Sequence, residues 1–390
     1  MDNRKNGALF IIIIYLLVRM FGIFFLQANG LNYIFVPVLL FFLYKMQTFP
    51  KIKKWLLLYV FCVFVSCISS WILHKQNVVR CFVNSYDYLG ILGFCIPAYF
   101  RISALSMKKY LKVMAVIFCL CYLIQWLIYP HLIWGSSSNV TDEIYRMRLP
   151  GCILSYFLVY CSFNDFLYTK KKINLILCCL AFFPIIIMGF RSLTILVLIS
   201  LFLYPMFAMR KFGMVIKASI LFGIFAICLS QTSIVQSKIE EMSSRTETGG
   251  TYADDDYVRY LEYDYLTSNV FTDKVANFVG NGTPVLGGNR YADSIVNAQT
   301  LSGVYWVDLG LVGLSFLIGI PAILLLVFLI IRSIWINRNR ETQFYRFVLL
   351  TALIPSLFTL MEVFRSGNML IIGLIIYTIE QEKSNKFLIS

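Results

Sequence analysis

Apolar runs recur along nearly the whole chain, and they leave few folds open to it. Long ones lie at 8–26, 55–73, 81–100, 110–129 and 304–331; shorter ones lie at 31–44, 152–168, 173–188, 193–208, 215–230, 347–360 and 369–377. A helix that crosses a bilayer needs about 20 mainly apolar residues, because lipid offers its backbone no hydrogen-bond partners. The sequence therefore predicts an all-α polytopic membrane protein of about twelve transmembrane helices. Residues 1–230 would hold the first nine and residues 303–390 the last three. A mean hydropathy of +0.76 and 59 % hydrophobic residues exclude an ordinary soluble domain. The first run is too long for a secretory signal and lacks a small-residue cleavage site, so it reads as a span.

Charge orients the spans. Lys and Arg cluster in short links such as KMQTFPKIKK, RISALSMKK, TKKK and RSIWINRNRETQFYR. Of the 34, 22 fall on the side of the N-terminus, 11 on the opposite side, and Arg19 within the first span. This excess predicts both termini in the cytoplasm. The net charge of +14 thus reflects membrane topology and does not point to nucleic acid. The eleven Cys lie in or beside apolar runs with no CxxC or Cys/His spacing, so neither a disulfide framework nor a metal site is expected. His74 and His131 are isolated in sequence, no GxSxG is present, and no cofactor fingerprint occurs.

One long polar stretch, 231–302, interrupts the pattern. It holds ten of the 20 acidic residues against five basic ones, a net charge of −5 in a chain of +14. On the expected topology it is a large extracytoplasmic loop with short helices, and function concentrates on loops held by a rigid frame. Within DDDYVRYLEYDYL, Tyr257, Tyr260, Leu261 and Tyr265 fall at near-helical spacing. These rings either roof a polar substrate or pack an amphipathic helix on the scaffold. Arg259 and Glu262, three apart, either pair with each other or serve the site. Gly280-Asn281-Gly282 and Gly287-Gly288-Asn289 read as turns that bring Arg290, Tyr291 and Asp293 back towards the membrane.

Arg80, Arg148, Arg191, Arg290 and Arg365 each precede a helix expected to enter the membrane from outside. A helix N-terminus has free N–H groups and partial positive charge, and Arg beside it makes a phosphate site. Arg191, in the minimal turn GFRS, and Arg148, before Pro150-Gly151, are the strongest candidates. Arg146 is a weaker one, and Arg80 and Arg365 read as interface anchors. Ionisable residues inside spans are functional candidates by default. Arg19 and Asp87 read as a structural pair. Asp308, in GVYWVDLGLVG, is a general base, an Arg partner or solvated. Asp165 and Glu362, near helix ends, read as solvated.

Taken together, GFRS with Arg191, RLPG with Arg148, Arg259, Gly280-Asn281-Gly282, Asp293-Ser294 and the LGLVG run at 309–313 resemble the Wzy-type polymerases of O-antigen and capsule repeat units. These belong to the GT-C-like superfamily that also holds O-antigen ligases. The paired R-x10-G motifs of some polymerases are not found here. Ligases typically carry an essential loop His; the absence of His from 231–302 favours a polymerase. The resemblance implies inverting, metal-independent glycosyl transfer without a cofactor at the outer face of the bacterial cytoplasmic membrane. Its substrate would be an undecaprenyl-pyrophosphate-linked oligosaccharide, its partners a chain-length regulator and a flippase. Arg148, Arg191 and Arg290 would face the pyrophosphate, with Arg146 and Arg259 assisting. Asp293, Glu262 or Asp308 would act as base, and Tyr257, Tyr260 and Tyr291 would contact sugar. The alternatives are an O-antigen ligase and, from another class, a lipid-linked oligosaccharide flippase.

Overall fold

Helices form most of the described residues, and no strand is found among them. The computed structural model describes residues 3–19, 29–128, 131, 133, 149–188, 191–209, 258–285, 289–336, 342–358, 363–364 and 367–387. The first part holds α1 (Asn3–Val18), α2 (Asn32–Lys45), α3 (Pro50–His74), α4 (Val78–Asn84), α5 (Tyr86–Leu89), α6 (Cys95–Phe100), α7 (Ala104–Leu127), α8 (Ile153–Thr169), α9 (Lys172–Ile187) and α10 (Arg191–Met209). The polar stretch contributes α11 (Val258–Asn269), α12 (Lys274–Val279) and α13 (Arg290–Leu301). The last part holds α14 (Gly310–Ile318), α15 (Ile320–Ile336), α16 (Phe344–Phe358) and α17 (Asn368–Phe387).

Two of these helices, α3 and α7, are long and apolar enough to cross a membrane alone. A third crossing is possible as a bent pair, α13 with Trp306–Ile318, at 85°. Six further apolar helices among the described residues are shorter, 10–17 residues each. Two of the long apolar runs are broken. The run at 81–100 is divided into α4, α5, a 3-10 segment at Gly90–Phe94 and α6. The expected continuous helix at 304–331 is instead a 3-10 turn at Trp306–Leu309, then α14, then α15. Gly310 and Gly319 sit at the breaks with φ of +60° and +85°, a conformation Gly adopts without penalty. The expected span at 215–230 lies outside the described residues.

At the centre is α17, longer than the run at 369–377 suggests and buried from Asn368 through Glu380. A helix apolar on all sides is stable only when surrounded, and α17 packs against α1, α5–α8, α15 and α16. Its closest neighbour is the Gly90–Phe94 segment. A Cβ on Gly93 would come within 2.7 Å of the Leu370 carbonyl, and one on Gly373 within 2.6 Å of the Ile91 carbonyl. Small residues at facing positions let two backbones touch. Charges near the helix ends are paired. Asp165 is bound by Lys108 at 2.9 Å and Lys112 at 2.7 Å, rather than standing free in solvent as its position suggested. Arg332 pairs with Glu380, and Arg19 donates to Asn32 with its guanidinium 4.9 Å from the Tyr86 ring centroid. Glu362 lies outside the described residues.

Candidate functional site

The polar stretch is stitched to the scaffold by a buried polar seam. Gly280-Asn281-Gly282 is not an exposed turn. It runs extended into the core, where Asn281 N–H donates to the Phe316 carbonyl and Gly282 N–H to the Leu317 carbonyl, both at 2.8 Å. Those carbonyls are available because Gly319 ends α14, leaving its last turn without intrahelical donors. The approach is tight: a Cβ on Gly319 would sit 2.1 Å from the Val279 carbonyl oxygen, and one on Gly282 2.6 Å from the Ser70 side chain. Only Gly fits either position.

Side chains of the first part complete the seam. His74 Nε2 lies 3.0 Å from Asn281 Oδ1, and its ring stacks on Tyr291 with centroids 4.1 Å apart. Gln76 Oε1 accepts from Val285 N–H at 2.7 Å, and Ser85 and Thr283 share a hydroxyl bond of 2.7 Å. Asn289 donates to the His74 carbonyl at 2.8 Å while capping α13. His74 is therefore not isolated; it joins two segments more than two hundred residues apart, and local sequence carries no signal of that.

Above the seam, α11 carries a charged cluster. Arg259 Nη1 lies 2.5 Å from Glu262 Oε2 and 2.9 Å from Asp308 Oδ2. Arg259 and Glu262 stand one turn apart on α11, and Asp308 comes from the 3-10 turn against which α11 packs. The Glu262 side chain is only 6 % exposed, against 30 % for Arg259 and 37 % for Asp308. Burial pushes the Glu262 carboxyl up, with Arg259 and the Tyr305 N–H pulling it back. Burial works against the Arg259 charge, but Asp308 and Glu262 outweigh it and hold its pKa above the ordinary value.

Two cavities flank α11. One, of about 460 Å³, lies between α11 and residues 302–304; Glu262, Asp264, Tyr265 and Asn269 line it together with Leu261 and Val304. Ser302 donates to the Tyr265 hydroxyl at 3.1 Å across it. The other, of about 810 Å³, is an open cleft. Tyr263 and Thr267 of α11 face it, with Phe278 of α12, Phe316 of α14 and Leu324 of α15, and Lys274 stands among its lining residues. One short helix thus stands between two open clefts, and the smaller has two carboxylates among its lining residues.

The expected site residues are distributed as follows. Arg259, Glu262 and Asp308 come together; of the readings open to Asp308, the structure has it as an Arg partner. Tyr260 is exposed. Arg290 and Asp293 are exposed in the first turn of α13 and form no ion pair among the described residues. A helix of twelve residues is about 18 Å long, and the Ser302 end of α13, not the Arg290 end, meets the smaller pocket. Tyr291 is 4 % exposed, donates to the Gly282 carbonyl at 3.0 Å and stacks on His74, so it anchors the loop and is not open to a sugar. Burial raises its hydroxyl pKa well above normal. Arg191 is the first residue of α10. Arg146, Arg148 and Tyr257 lie outside the described residues. Tyr265, one of the rings at near-helical spacing, lines the smaller pocket; Asp264, Asn269 and Ser302 were not among the expected residues, because a pocket made by two segments 33 or more positions apart leaves no local pattern.

The chain matches no model of a known protein family, and no curated protein matches it in sequence.

Proposed function

We propose that this protein is a polytopic membrane glycosyltransferase that joins lipid-pyrophosphate-linked oligosaccharide repeats into a polymer at the outer face of a bacterial cytoplasmic membrane. One observation carries the reading: α11 stands between two clefts, the smaller with the carboxylates of Glu262 and Asp264 among its lining residues and the larger lined mainly by apolar side chains. Carboxylates can accept the hydroxyls of a sugar, and an apolar cleft can take a lipid chain. The apolar composition and the resemblance to Wzy-type polymerases support the same reading.

In the reaction, an acceptor hydroxyl attacks the anomeric carbon of the donor from the face opposite the pyrophosphate. The new glycosidic C–O bond forms as the sugar–phosphate C–O bond breaks, its electron pair leaving with the lipid pyrophosphate. Glu262 takes the hydroxyl proton; burial raises its pKa, which makes it a stronger base than a solvated carboxylate. Arg259 already faces two carboxylates, which makes it a positioning residue for Glu262 and Asp308 and a poor anchor for pyrophosphate. That role falls to Arg191 at the head of α10, with Arg148.

The test is reconstitution of the purified full chain with a lipid-linked repeat unit. A ladder of products is expected from the native chain, and Glu262→Gln should slow its formation by about 10²–10⁴-fold, the contribution of a general base. No ladder from the native chain, or a Glu262→Gln variant as fast as it, would remove the proposal or the role of Glu262 respectively.

A further inference from the structure

The pocket beside Glu262 has a charge character that the proposed reaction does not by itself require. No Lys, Arg or His is among its lining residues. Arg259 is shared between Glu262 and Asp308, so that trio carries a net negative charge. Asp264 adds a second: it is exposed and has no ion pair among the described residues. The remaining polar groups are arranged to bind hydroxyls. Tyr265 accepts from Ser302, which leaves its own hydroxyl proton free to donate. Asn269 uses its amide N–H on the Tyr265 carbonyl at 3.0 Å, which leaves its side-chain oxygen as an acceptor. Leu261, exposed at the rim, offers an apolar surface to the C–H face of a sugar ring.

We infer that this pocket is the acceptor-sugar subsite, and that it selects a neutral or amino-bearing terminal sugar against an acidic one. The inference rests on the polymerase reading above and narrows its substrate class. Vicinal hydroxyls of a neutral sugar donate to the carboxylates in charge-assisted bonds. An ammonium on an amino sugar gains from the same field. A uronate places a third carboxylate beside two that have no cation to spare, and like charges facing each other in a partly desolvated site are strongly disfavoured.

The test measures binding of three methyl glycosides, glucoside, glucosaminide and glucuronide, to the full chain in nanodiscs by saturation-transfer NMR. The glucosaminide and glucoside are expected to bind at least about tenfold more tightly than the glucuronide. Asp264→Asn should narrow that ratio, and Ser302→Trp, which fills the pocket, should abolish binding of all three. Equal binding of the glucuronide, a ratio unchanged by Asp264→Asn, or binding indifferent to Ser302→Trp would overturn the inference, as would no binding at all. A chain that fails these tests yet still builds a ladder from lipid-linked repeats keeps its proposed activity and loses only this subsite.

Discussion

Removing Arg259 isolates a buried carboxylate, and the consequence depends on pH. In Arg259→Met, the Glu262 side chain, 6 % exposed in the native chain, loses the one oppositely charged partner it has among the described residues. A hydrogen bond to a charged group is worth about 1.5–3 kcal/mol. Arg259 is itself 30 % exposed, so water screens part of this and the loss at pH 8 falls towards the lower end, about 1–2 kcal/mol. The same change raises the Glu262 carboxyl further, because the lost Arg259 favoured its charged form. The sign follows from linkage. A carboxyl whose folded pKa is raised holds its proton more firmly in the folded state, so its contribution to stability is complete below its unfolded pKa and is lost as pH rises through the folded one. Burial already raises Glu262 in the native chain, and Arg259→Met moves the upper end of this window closer to neutrality. Thermal unfolding of the purified full chain in detergent reads the effect. The variant's apparent midpoint should fall by roughly 2–4 °C at pH 8 and by less at pH 5, where a larger share of the Glu262 carboxyl holds its proton. Adding Glu262→Gln should restore most of the loss at pH 8, since an amide leaves no buried charge. Equal destabilisation at pH 5 and pH 8, or no relief from Glu262→Gln, would refute the picture of a buried carboxylate held by Arg259.

Other expectations follow from the seam and the helix ends. Gly319→Ala places a Cβ 2.1 Å from the Val279 carbonyl oxygen at a φ of +85°, so the full chain should fail to accumulate in the membrane; normal accumulation would mean the seam is wrongly placed. His74→Leu keeps an apolar ring contact but loses the Asn281 bond, which should cost about 1–3 kcal/mol for the unsatisfied buried amide and speed proteolysis of the segment around 280–289. Unchanged protease sensitivity would argue against His74 as the clasp. Arg191→Ala should abolish polymer at normal protein level, by about 10²–10³-fold for a lost charge-stabilising donor. Full activity in Arg191→Lys would rule out a role that needs two parallel hydrogen bonds.

Much of the helical architecture is legible in the sequence, because apolar runs and basic links follow from elementary solvation. The boundaries are less so. Ile318 and Ile320 look alike on either side of Gly319, and nothing local reveals that the backbone of 278–280 lies against that glycine. A run such as 304–331 is apolar enough to be one helix; tertiary hydrogen bonds to Phe316 and Leu317 decide that it is two. The i,i+3 spacing of Arg259 and Glu262 was visible, whereas Asp308 as their third member required α11 to fold back on the Trp306–Leu309 turn. Tyr291 is the instructive case. A tyrosine in a polar, glycine-bounded segment has the composition of a sugar-binding residue, yet a single histidine from α3 turns it into a packing element. His74, Asp264 and Ser302 act through partners remote in sequence, and pattern reading reaches only neighbours.

The most direct measurement is the glycan size pattern of cells lacking this protein, in the organism that makes it. Collapse of a long-chain ladder to a single repeat, restored by the native chain but not by Glu262→Gln, is the expected result. Long lipid-linked chains that accumulate unattached would indicate a ligase, and single repeats trapped on the inner leaflet a flippase. Either pattern, or an unchanged ladder, would contradict polymerisation as the role of this chain.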